Sequence, residues 1–355
     1  MDRHSIYKRA TLLLLLLALF ATACLPPATP PAATPLATIS STPTSPPINQ
    51  PTNQLPTQPT TEPTNSPTLQ PTIQPPNPPT TQPTTQPTPQ PTPIHFAVIG
   101  DYGLAGDGAA AVATLVKSWQ PDFIITTGDN NYYYGEAGTI DANVGQYYHD
   151  FIFPYVGDYG RGADLNRFFP SLGNHDYGTG NAQPYLDYFA LPGNERYYDF
   201  TWGPVHLFAL NSDWREPDGI HSNSAQAAWL QAELAASAAP WKLVYLHVPP
   251  YSSGFHGSGL YVRWPYADWG ATAVLAGHDH HYERLTVGGI PYFVNGLGGG
   301  ARYAVKTPLP ESQAHFQGIH GAMRIEATET RMTFEFITRD QEVVDTFTMT
   351  VRSGQ

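Results

Sequence analysis

Five apolar runs in this chain each end in a short turn that carries aspartate, asparagine or histidine. The polar residues at these turns are Asp101, Asp129, Asn174 with His175, His247, and His278 with His280. Between the apolar runs lie helix-like stretches such as "DGAAAVATLVKSWQ" and "AQAAWLQAELAAS". Strands that alternate with helices predict an α/β fold. Towards the C-terminus, "MRIEATETRMTFEFITRD" and "VVDTFTMTV" alternate with a period of two and predict an antiparallel hairpin.

The polar turns are expected to meet at one place, because ligands bind at the carboxyl ends of strands in α/β sheets. In "GHDH", an extended segment puts His278 and His280 on one side and Asp279 on the other. Carboxylate, amide and imidazole groups without thiolate suit iron, zinc or manganese. For a single residue of this kind at a strand end, a structural role is favoured. Five turns that each carry such residues together predict a metal site.

The blocks "GDYG", "GDNNY", "GNHD", "VYLH" and "GHDH" follow in this order over residues 100–280. In this series the chain resembles the calcineurin-like metallophosphoesterases and, within them, the purple acid phosphatases. The resemblance covers essentially all of residues 94–355. It implies a four-layer αββα sandwich in which two mixed sheets are flanked by helices.

The first block departs from the wider family, in which it usually reads Asp-x-His, because position 103 is Gly103. In purple acid phosphatases a tyrosine three residues after the bridging aspartate supplies the missing ligand, and Tyr132 has that spacing from Asp129. The resemblance implies a first metal held by Asp101, Asp129, Tyr132 and His280, and a second held by Asp129, Asn174, His247 and His278. A phenol has a pKa of about 10, so its binding as phenolate implies Fe³⁺ at the first position. Fe²⁺, Zn²⁺ or Mn²⁺ is expected at the second.

Two histidines outside the ligand set are catalytic candidates through the same resemblance. His175 matches a histidine that contacts phosphate, and Asp176 is expected to orient its ring by accepting a hydrogen bond. His256 is similar in position to a second substrate histidine. Supporting or rim positions are expected for His281 and Glu283, and packing or substrate-facing positions for Tyr133 and Tyr134. A structural or solvated role is expected for His95, His149, His206, His221, His315 and His320. The glycine run 296–300 predicts a close backbone turn rather than an anion cradle, since no helix start follows it.

The expected activity is hydrolysis of small phosphate monoesters by in-line attack of a metal-bound hydroxide at acidic pH. A phosphodiesterase or nucleotidase with the same metal site is one alternative, and a non-catalytic binding module displayed on a surface is another. The formal net charge of −12 argues against a nucleic-acid partner, which would require a basic face. No protein partner is implied. The single cysteine, Cys24, lies outside residues 94–355, which excludes disulfides and thiolate zinc sites from that region.

The N-terminal part of the chain predicts export and attachment. Residues 1–23 have the basic start, the apolar run and the small residues of a signal peptide. "ATAC" resembles a bacterial lipobox, with Ala21 in place of the more common leucine, so Cys24 is expected to carry a lipid; an unmodified thiol in an ordinary secretory signal is the alternative. Residues 25–93 are rich in Pro, Thr and Gln and predict a disordered, polyproline-like tether, with a run of SH3-type ligands as the alternative. The catalytic domain 94–355 is then expected outside the cytoplasm, held at the cell membrane or surface by this anchor alone.

Overall fold

The structure, a computed structural model, describes residues 92–305 and 307–351 of the chain. All of them belong to Pro83–Gln355, the second of the two compact units of the chain. The predicted signal peptide 1–23, Cys24 and the predicted tether 25–93, apart from its last two residues, lie outside the described residues. In the described part of the chain, no helix has the length and apolar character needed to cross a membrane.

Thirteen strands form within the described residues. They are β1 Ile94–Ile99, β2 Phe123–Thr126, β3 Phe168–Pro170, β4 Tyr198–Trp202, β5 Val205–Ala209, β6 Trp241–Tyr245, β7 Ala273–Ala276, β8 Tyr282–Val287, β9 Ile290–Asn295, β10 Ser312–Phe316, β11 Gly321–Ala327, β12 Arg331–Thr338 and β13 Val343–Thr350. The α-helices are α1 Asp107–Ser118, α2 Ala137–Ile140, α3 Gln146–Tyr148, α4 Gln183–Tyr188 and α5 Ala225–Ala236. A π-helical turn, Asp141–Gly145, joins α2 to α3, and 3₁₀ turns cover His149–Phe151 and Leu260–Val262.

The strands form two mixed sheets, as the sequence predicts. The six-stranded sheet has the order β13-β12-β11-β1-β2-β3, in which β1, β2 and β3 are parallel and the other pairs are antiparallel. The seven-stranded sheet has the order β10-β8-β9-β7-β6-β5-β4, in which β5, β6, β7 and β9 are parallel. Each sheet therefore has a group of neighbouring parallel strands whose carboxyl ends all lie at the same end of the sheet.

Alternating side chains along the central strands build the layers. In β1, Phe96 and Val98 belong to the apolar core between the two sheets, whereas Ala97 and Ile99 pack with residues of α1 on the outer face. In β6, Leu243 lies between the sheets, and residues on the other face of that strand pack with α5. Successive side chains of a strand point to opposite faces. One apolar run therefore contributes both to the core between the sheets and to the core between a sheet and its helices. The predicted order of helix, sheet, sheet and helix is confirmed.

The C-terminal segment forms more than the single hairpin that its pattern predicts. β11, β12 and β13 form a three-stranded antiparallel meander, and β11 also pairs with β1. The alternation correctly predicts strands, but the pairing of β11 with β1 joins segments that are far apart in the sequence.

Candidate metal centre

All seven side chains predicted to bind metal lie in loops that follow the carboxyl ends of the parallel strands. Asp101 follows β1, Asp129 and Tyr132 follow β2, Asn174 follows β3, His247 follows β6, and His278 and His280 follow β7. The six-stranded sheet thus supplies four of the seven residues and the seven-stranded sheet supplies the three histidines. The loops bring these side chains within hydrogen-bonding distance of one another.

Three of these residues adopt the left-handed backbone conformation, which is uncommon for residues other than glycine. The φ angles are 56° at Asp101, 53° at Asp129 and 68° at His278. Each such residue costs on the order of 1 kcal/mol, so the surrounding contacts must hold it. A Cβ atom at Gly277 would lie 2.5 Å from Oδ2 of Asp101, which shows how closely the β1 and β7 loops pack. The backbone hydrogen bond from His278 N to the Asp101 carboxylate, at 2.9 Å, joins the same two loops.

Asp101, Asp129, Tyr132 and His280 form a first ligand group. One ligand atom from each of Asp101, Asp129 and His280 lies within 4.8 Å of the others. The Tyr132 hydroxyl lies 3.3 Å from Oδ1 of Asp101 and 3.1 Å from Nε2 of His280. These side chains are buried, so water screens their charges weakly.

Gly103 explains how Tyr132 reaches this group. Tyr132 N donates to the carbonyl oxygen of Gly103 at 2.8 Å, and Gly103 N donates to that of Asp129 at 3.1 Å. A Cβ atom at position 103 would lie 2.1 Å from the carbonyl carbon and oxygen of Asn130. The missing side chain therefore allows the loop after β2 to lie directly against the loop after β1.

Asn174, His247 and His278 form a second ligand group. Nε2 of His247 lies 3.0 Å from Oδ1 of Asn174 and 3.1 Å from Nδ1 of His278. Oδ2 of Asp129 is 3.4 Å from the same nitrogen. Asp129 therefore lies between the two groups and could contribute to both.

Backbone carbonyl groups set the orientation of two of the histidines. Nδ1 of His247 is 2.8 Å from the carbonyl oxygen of Thr127, and Nδ1 of His280 contacts that of Ala301. If each Nδ1 carries the proton that this contact requires, Nε2 is left with its lone pair directed into the site. Such an arrangement is typical of metal-binding histidines.

The charges of the cluster shift the pKa values of its members in opposite directions. Burial alone would lower the pKa of His247, but the Asp129 carboxylate outweighs burial and raises it. Burial and the neighbouring His247 lower the pKa of His278 to about 2. Burial together with Asp129 and Asp101 raises the pKa of Tyr132 well above its ordinary value. Two carboxylates and three imidazoles concentrated in a buried space fit cations well, because a cation supplies the positive charge that the carboxylates require.

His175 lies beside the first ligand group, but Asp176 does not orient it as predicted. The ring of His175 packs 4.4 Å from that of Tyr132, and its Nδ1 is 2.8 Å from the carbonyl oxygen of Tyr133. The Asp176 carboxylate points away from this ring and accepts hydrogen bonds from Gly173 N and from the backbone and side chain of Asn130. Burial, reinforced by the charge of Asp129, raises the pKa of Asp176 to about 7. Asp176 thus supports the loop after β2, and the Tyr133 carbonyl holds His175.

His256 lies next to the second ligand group, and Asp279 holds it there. The exposed ring of His256 packs 4.3 Å from the ring of His278. The carboxylate of Asp279, which is fully buried, accepts hydrogen bonds from His256 N at 2.7 Å, from Gly257 N at 3.1 Å and from the Ser252 hydroxyl. The predicted alternation of "GHDH" therefore directs Asp279 to the loop that carries His256.

His281 and Glu283 are buried rather than at the rim. Nε2 of His281 lies 3.2 Å from Oε2 of Glu283, and neither side chain is exposed. Glu283 accepts hydrogen bonds from the backbone and the hydroxyl of Ser253, at 2.8 and 2.6 Å. The pair supports the His256 loop from inside the protein.

The other histidines make no contact with the two ligand groups in the described structure. His206 pairs with Asp199 at 2.8 Å, His95 lies 3.8 Å from Glu326, and His320 contacts the Gly300 carbonyl at 2.9 Å. The glycine run 296–300 forms a close backbone turn: Gly298 N and Gly300 N donate to the carbonyl oxygens of Gly100 and Asp101, both at 2.9 Å.

Three residues near the site have no signal in the sequence pattern. The ring of Tyr303 stacks on His280 with centroids 4.2 Å apart. Arg215 donates to the carbonyl oxygens of Tyr177 and Asn174, at 2.8 and 3.4 Å, and so holds the loop that carries Asn174. Trp214 is exposed beside that loop. None of the three has a spacing that relates it to a ligand, so only the folded chain reveals its position.

Comparison with known proteins places the chain among phosphoesterases. The family model described as calcineurin-like phosphoesterase matches residues 94–282. Tartrate-resistant acid phosphatase type 5 of Homo sapiens is 24% identical over 289 residues, which cover 69% of this chain and 87% of the human protein.

Two solved structures share the fold. Purple acid phosphatase PPD1 from yellow lupin seeds has a TM-score of 0.61 and 17% identity; the match covers 74% of this chain and 54% of the lupin chain. GAP50, described as the anchor in the inner membrane complex of Plasmodium, has a TM-score of 0.59 and 18% identity and covers 74% of this chain and 90% of its own. The same fold thus occurs in a protein described as a phosphatase and in one described as an anchor.

Proposed function

The chain belongs to the calcineurin-like phosphoesterase family, and on this basis we propose that it is a phosphatase that hydrolyses small phosphate monoesters at a two-metal centre. One observation carries the proposal: the two ligand groups meet at Asp129, with oxygen and nitrogen donors on both sides of it. A purely structural metal site needs neither the shared carboxylate nor the open space beside His175. The relative described as an acid phosphatase supports an acidic working pH.

We propose Fe³⁺ for the first ligand group and Fe²⁺, Zn²⁺ or Mn²⁺ for the second. The support is Tyr132, a buried phenol directed at Asp101 and His280, since a phenolate ligand favours a strongly Lewis-acidic cation. Two such cations would supply the Lewis acidity that activates water and neutralises charge on the phosphoryl group.

Protein side chains would position the ester and its leaving group. His175 uses Nδ1 to contact the Tyr133 carbonyl, which leaves Nε2 as the nitrogen that can face a phosphoryl oxygen. His256, held by Asp279 beside His278, is the proposed general acid that protonates the leaving oxygen. Asp176 has no direct catalytic role in this proposal, because it is occupied with Asn130 and Gly173.

The visible absorption spectrum of the protein purified after expression with iron tests the metal assignment. A broad violet charge-transfer band that is lost in Tyr132→Phe is expected, together with iron in the unmodified protein and turnover of a phosphate monoester. A colourless and iron-free protein that still hydrolyses the ester would contradict the iron assignment and leave a metallophosphoesterase of other metal content. Iron retained together with turnover in Asp101→Ala would contradict the ligand assignment.

A phosphodiesterase or nucleotidase is the second candidate, because a cavity lies on each side of the site. One cavity is lined by residues that include Asn174, His247 and His278, and the other by residues that include Tyr132, His175 and His280. A diester has two organic groups that could occupy both. The ratio of kcat/KM for a monoester and the matching diester separates the two candidates. The description of GAP50 as an anchor keeps a non-catalytic binding module as the remaining alternative; absence of turnover with bound metal would favour it.

We also propose that the protein acts outside the cytoplasm, attached through a lipid on Cys24, with residues 25–93 as the spacer and no protein or nucleic-acid partner. The support is the signal-like and lipobox-like sequence before Cys24. Mass spectrometry of the N-terminal peptide tests this, and release of Cys24→Ser from the membrane fraction is expected. An unmodified Cys24 would contradict it.

A further inference from the structure

We propose that Trp214 selects phosphate monoesters whose leaving group carries a single aromatic ring. The inference rests on the proposed function, because it names the substrate class of the same site. It concerns the cavity beside the second ligand group, here called the tryptophan cavity. Its lining residues are Asn174, Ser212, Asp213, Trp214, Arg215, His247, Val248, Tyr261 and His278.

Trp214 is exposed, and the guanidinium of Arg215 lies against one side of its ring. Its relative exposure is 75%, and the guanidinium of Arg215 lies 5.3 Å from the centroid of its ring. Nε and Nη2 of Arg215 donate to the two carboxylate oxygens of Asp213 at 2.7 and 2.9 Å. The Asp213 side chain is only 3% exposed. The bidentate ion pair with Asp213 fixes the Arg215 guanidinium on which the indole lies. Trp214 should therefore lose little conformational freedom when it binds a ligand, as a preorganised contact does.

The tryptophan cavity offers ring surface rather than free charge. Arg215 is the only lysine or arginine among the described residues that line it, and Asp213 neutralises it. The hydroxyl oxygen of Ser212 is occupied by Val248 N at 2.9 Å. The candidate ligands Asn174, His247 and His278 form the inner end of the cavity, and Trp214, Val248 and Tyr261 complete its wall. A second phosphate group on the substrate would find no unpaired arginine or lysine here, whereas an aromatic ring would find an aromatic partner.

The volume of the tryptophan cavity is about 140 Å³. A cavity of about 150 Å³ accepts benzene, so this cavity has room for one phenyl ring. The position of His256 indicates the direction in which the leaving group of the substrate would extend. Its ring packs on His278, which also lines this cavity. A leaving oxygen protonated by His256 would therefore direct its organic group past His278 towards Trp214.

Two alkyl esters of equal chemical reactivity test the inference. In 3-phenylpropyl phosphate the ring is three carbons from the oxygen, so its leaving group closely resembles that of n-propyl phosphate. The readout is the ratio of kcat/KM for the phenylpropyl ester to that for the propyl ester. We expect a ratio of about fivefold in the unmodified protein, since an aromatic pair contributes on the order of 1 kcal/mol. The ratio should fall towards one in Trp214→Ala and be largely kept in Trp214→Phe.

Two further variants make the result decisive. Phe153 is also exposed, at 47%, but lines neither cavity, so Phe153→Ala should keep the ratio. Tyr133 lines the cavity on the other side of the site. A ratio near one in the unmodified protein, an unchanged ratio in Trp214→Ala, or loss of the ratio only in Tyr133→Ala would each overturn the inference while leaving the phosphatase proposal intact. If the unmodified protein hydrolyses neither ester, the proposed function fails and the inference fails with it.

Discussion

Asp279 connects the candidate metal ligands to the proposed general acid. It stands between His278 and His280 in the chain, and its carboxylate points away from both and accepts hydrogen bonds from His256 N and Gly257 N. Hydrogen bonds to a buried carboxylate are strong, since the acceptor is charged. The position of His256 thus depends on a residue that belongs to neither ligand group.

Asp279→Asn should reproduce the loss in His256→Ala in a milder form. Loss of a general acid costs on the order of 100-fold or more with alkyl esters, but costs less with p-nitrophenyl phosphate, whose leaving group departs without a proton. The same dependence on leaving group, with metal content unchanged, is expected in Asp279→Asn. If Asp279→Asn lowered the activity equally with an alkyl phosphate and with p-nitrophenyl phosphate, Asp279 would instead stabilise the fold or the metal ligands.

Gly103→Ala should destabilise the protein although it adds only one carbon. The new Cβ would lie 2.1 Å from the Asn130 backbone, which cannot move away like a flexible side chain. Overpacking of this kind costs about 1–3 kcal/mol, and thermal unfolding measures it. Gly138→Ala is the matched control, because no atom lies within 4 Å of the added carbon there. Equal melting temperatures for the two variants would contradict the close contact at Gly103.

At the scale of elements, the π-helical turn Asp141–Gly145 connects the first ligand group to a second polar cluster. Asn143 in this turn donates to Oδ1 of Asn131 at 2.8 Å and accepts from Ala105 N at 2.9 Å, and so joins the loops after β1 and β2. On the other side of the turn, Asp141 accepts hydrogen bonds from Tyr155 and Tyr188 at 2.8 and 2.7 Å. Extra residues in a π-helical turn often occur near functional sites.

The cluster of Asp141, Tyr155 and Tyr188 should make the stability of the fold depend on pH in the acidic range. Burial opposes the charge of Asp141, but hydrogen bonds from Asp158 N, Tyr188 and Tyr155 outweigh it and lower the pKa. A carboxyl whose pKa is lower in the folded state stabilises the fold above its unfolded value, about 3.9, and loses this contribution as the pH falls through the folded value.

We therefore expect the melting temperature of Asp141→Asn to lie below that of the unmodified protein at pH 7, and the difference to shrink as the pH approaches 3. Asp340→Asn, at a surface carboxylate that is 72% exposed, is the control for loss of one charge. A difference between Asp141→Asn and the unmodified protein that stays constant over this range would contradict the lowered pKa.

The sequence predicts those elements whose ends carry a visible pattern. Strands before a polar turn, the helices α1 and α5 and the alternating C-terminal strands are all evident from local periodicity. β4, β5, β8 and β10 are not, and β8 shows why: its charged Glu283 would suggest exposure, but it is buried against Ser253. Sequence patterns likewise do not reveal the partner of Asp176, which is adjacent to His175 in the chain but accepts hydrogen bonds from Asn130. The five motif blocks identify the ligand set through the family resemblance, whereas hydrogen-bond partners from other loops are evident only in the folded chain.

At the scale of the whole molecule, each of the two ligand groups combines residues from both sheets. Asp101, Asp129 and Asn174 extend from the six-stranded sheet, and His247, His278 and His280 from the seven-stranded sheet. Cations bound between them would connect the two sheets at one edge. Metal affinity then adds to the stability of the folded chain, because the unfolded chain has no such site.

Removal of metal with a chelator should lower the melting temperature without changing the far-ultraviolet circular dichroism. When free metal is 100-fold above its dissociation constant, binding stabilises the fold by about 2.7 kcal/mol. In Asp129→Ala, which removes the shared carboxylate, chelator should have little further effect. Identical melting curves for the loaded and stripped unmodified protein would mean that the cations do not hold the two sheets together.

The close contact at Gly103 also has an evolutionary consequence. Any side chain introduced at position 103 would meet the Asn130 backbone, so a single substitution there cannot supply a new ligand while the loop after β2 stays in place. The loop that would have to open also carries Tyr132, whose backbone N donates to the Gly103 carbonyl oxygen. Positions 103 and 132 are therefore expected to change together in relatives that keep the site, and to vary independently only where the site is lost.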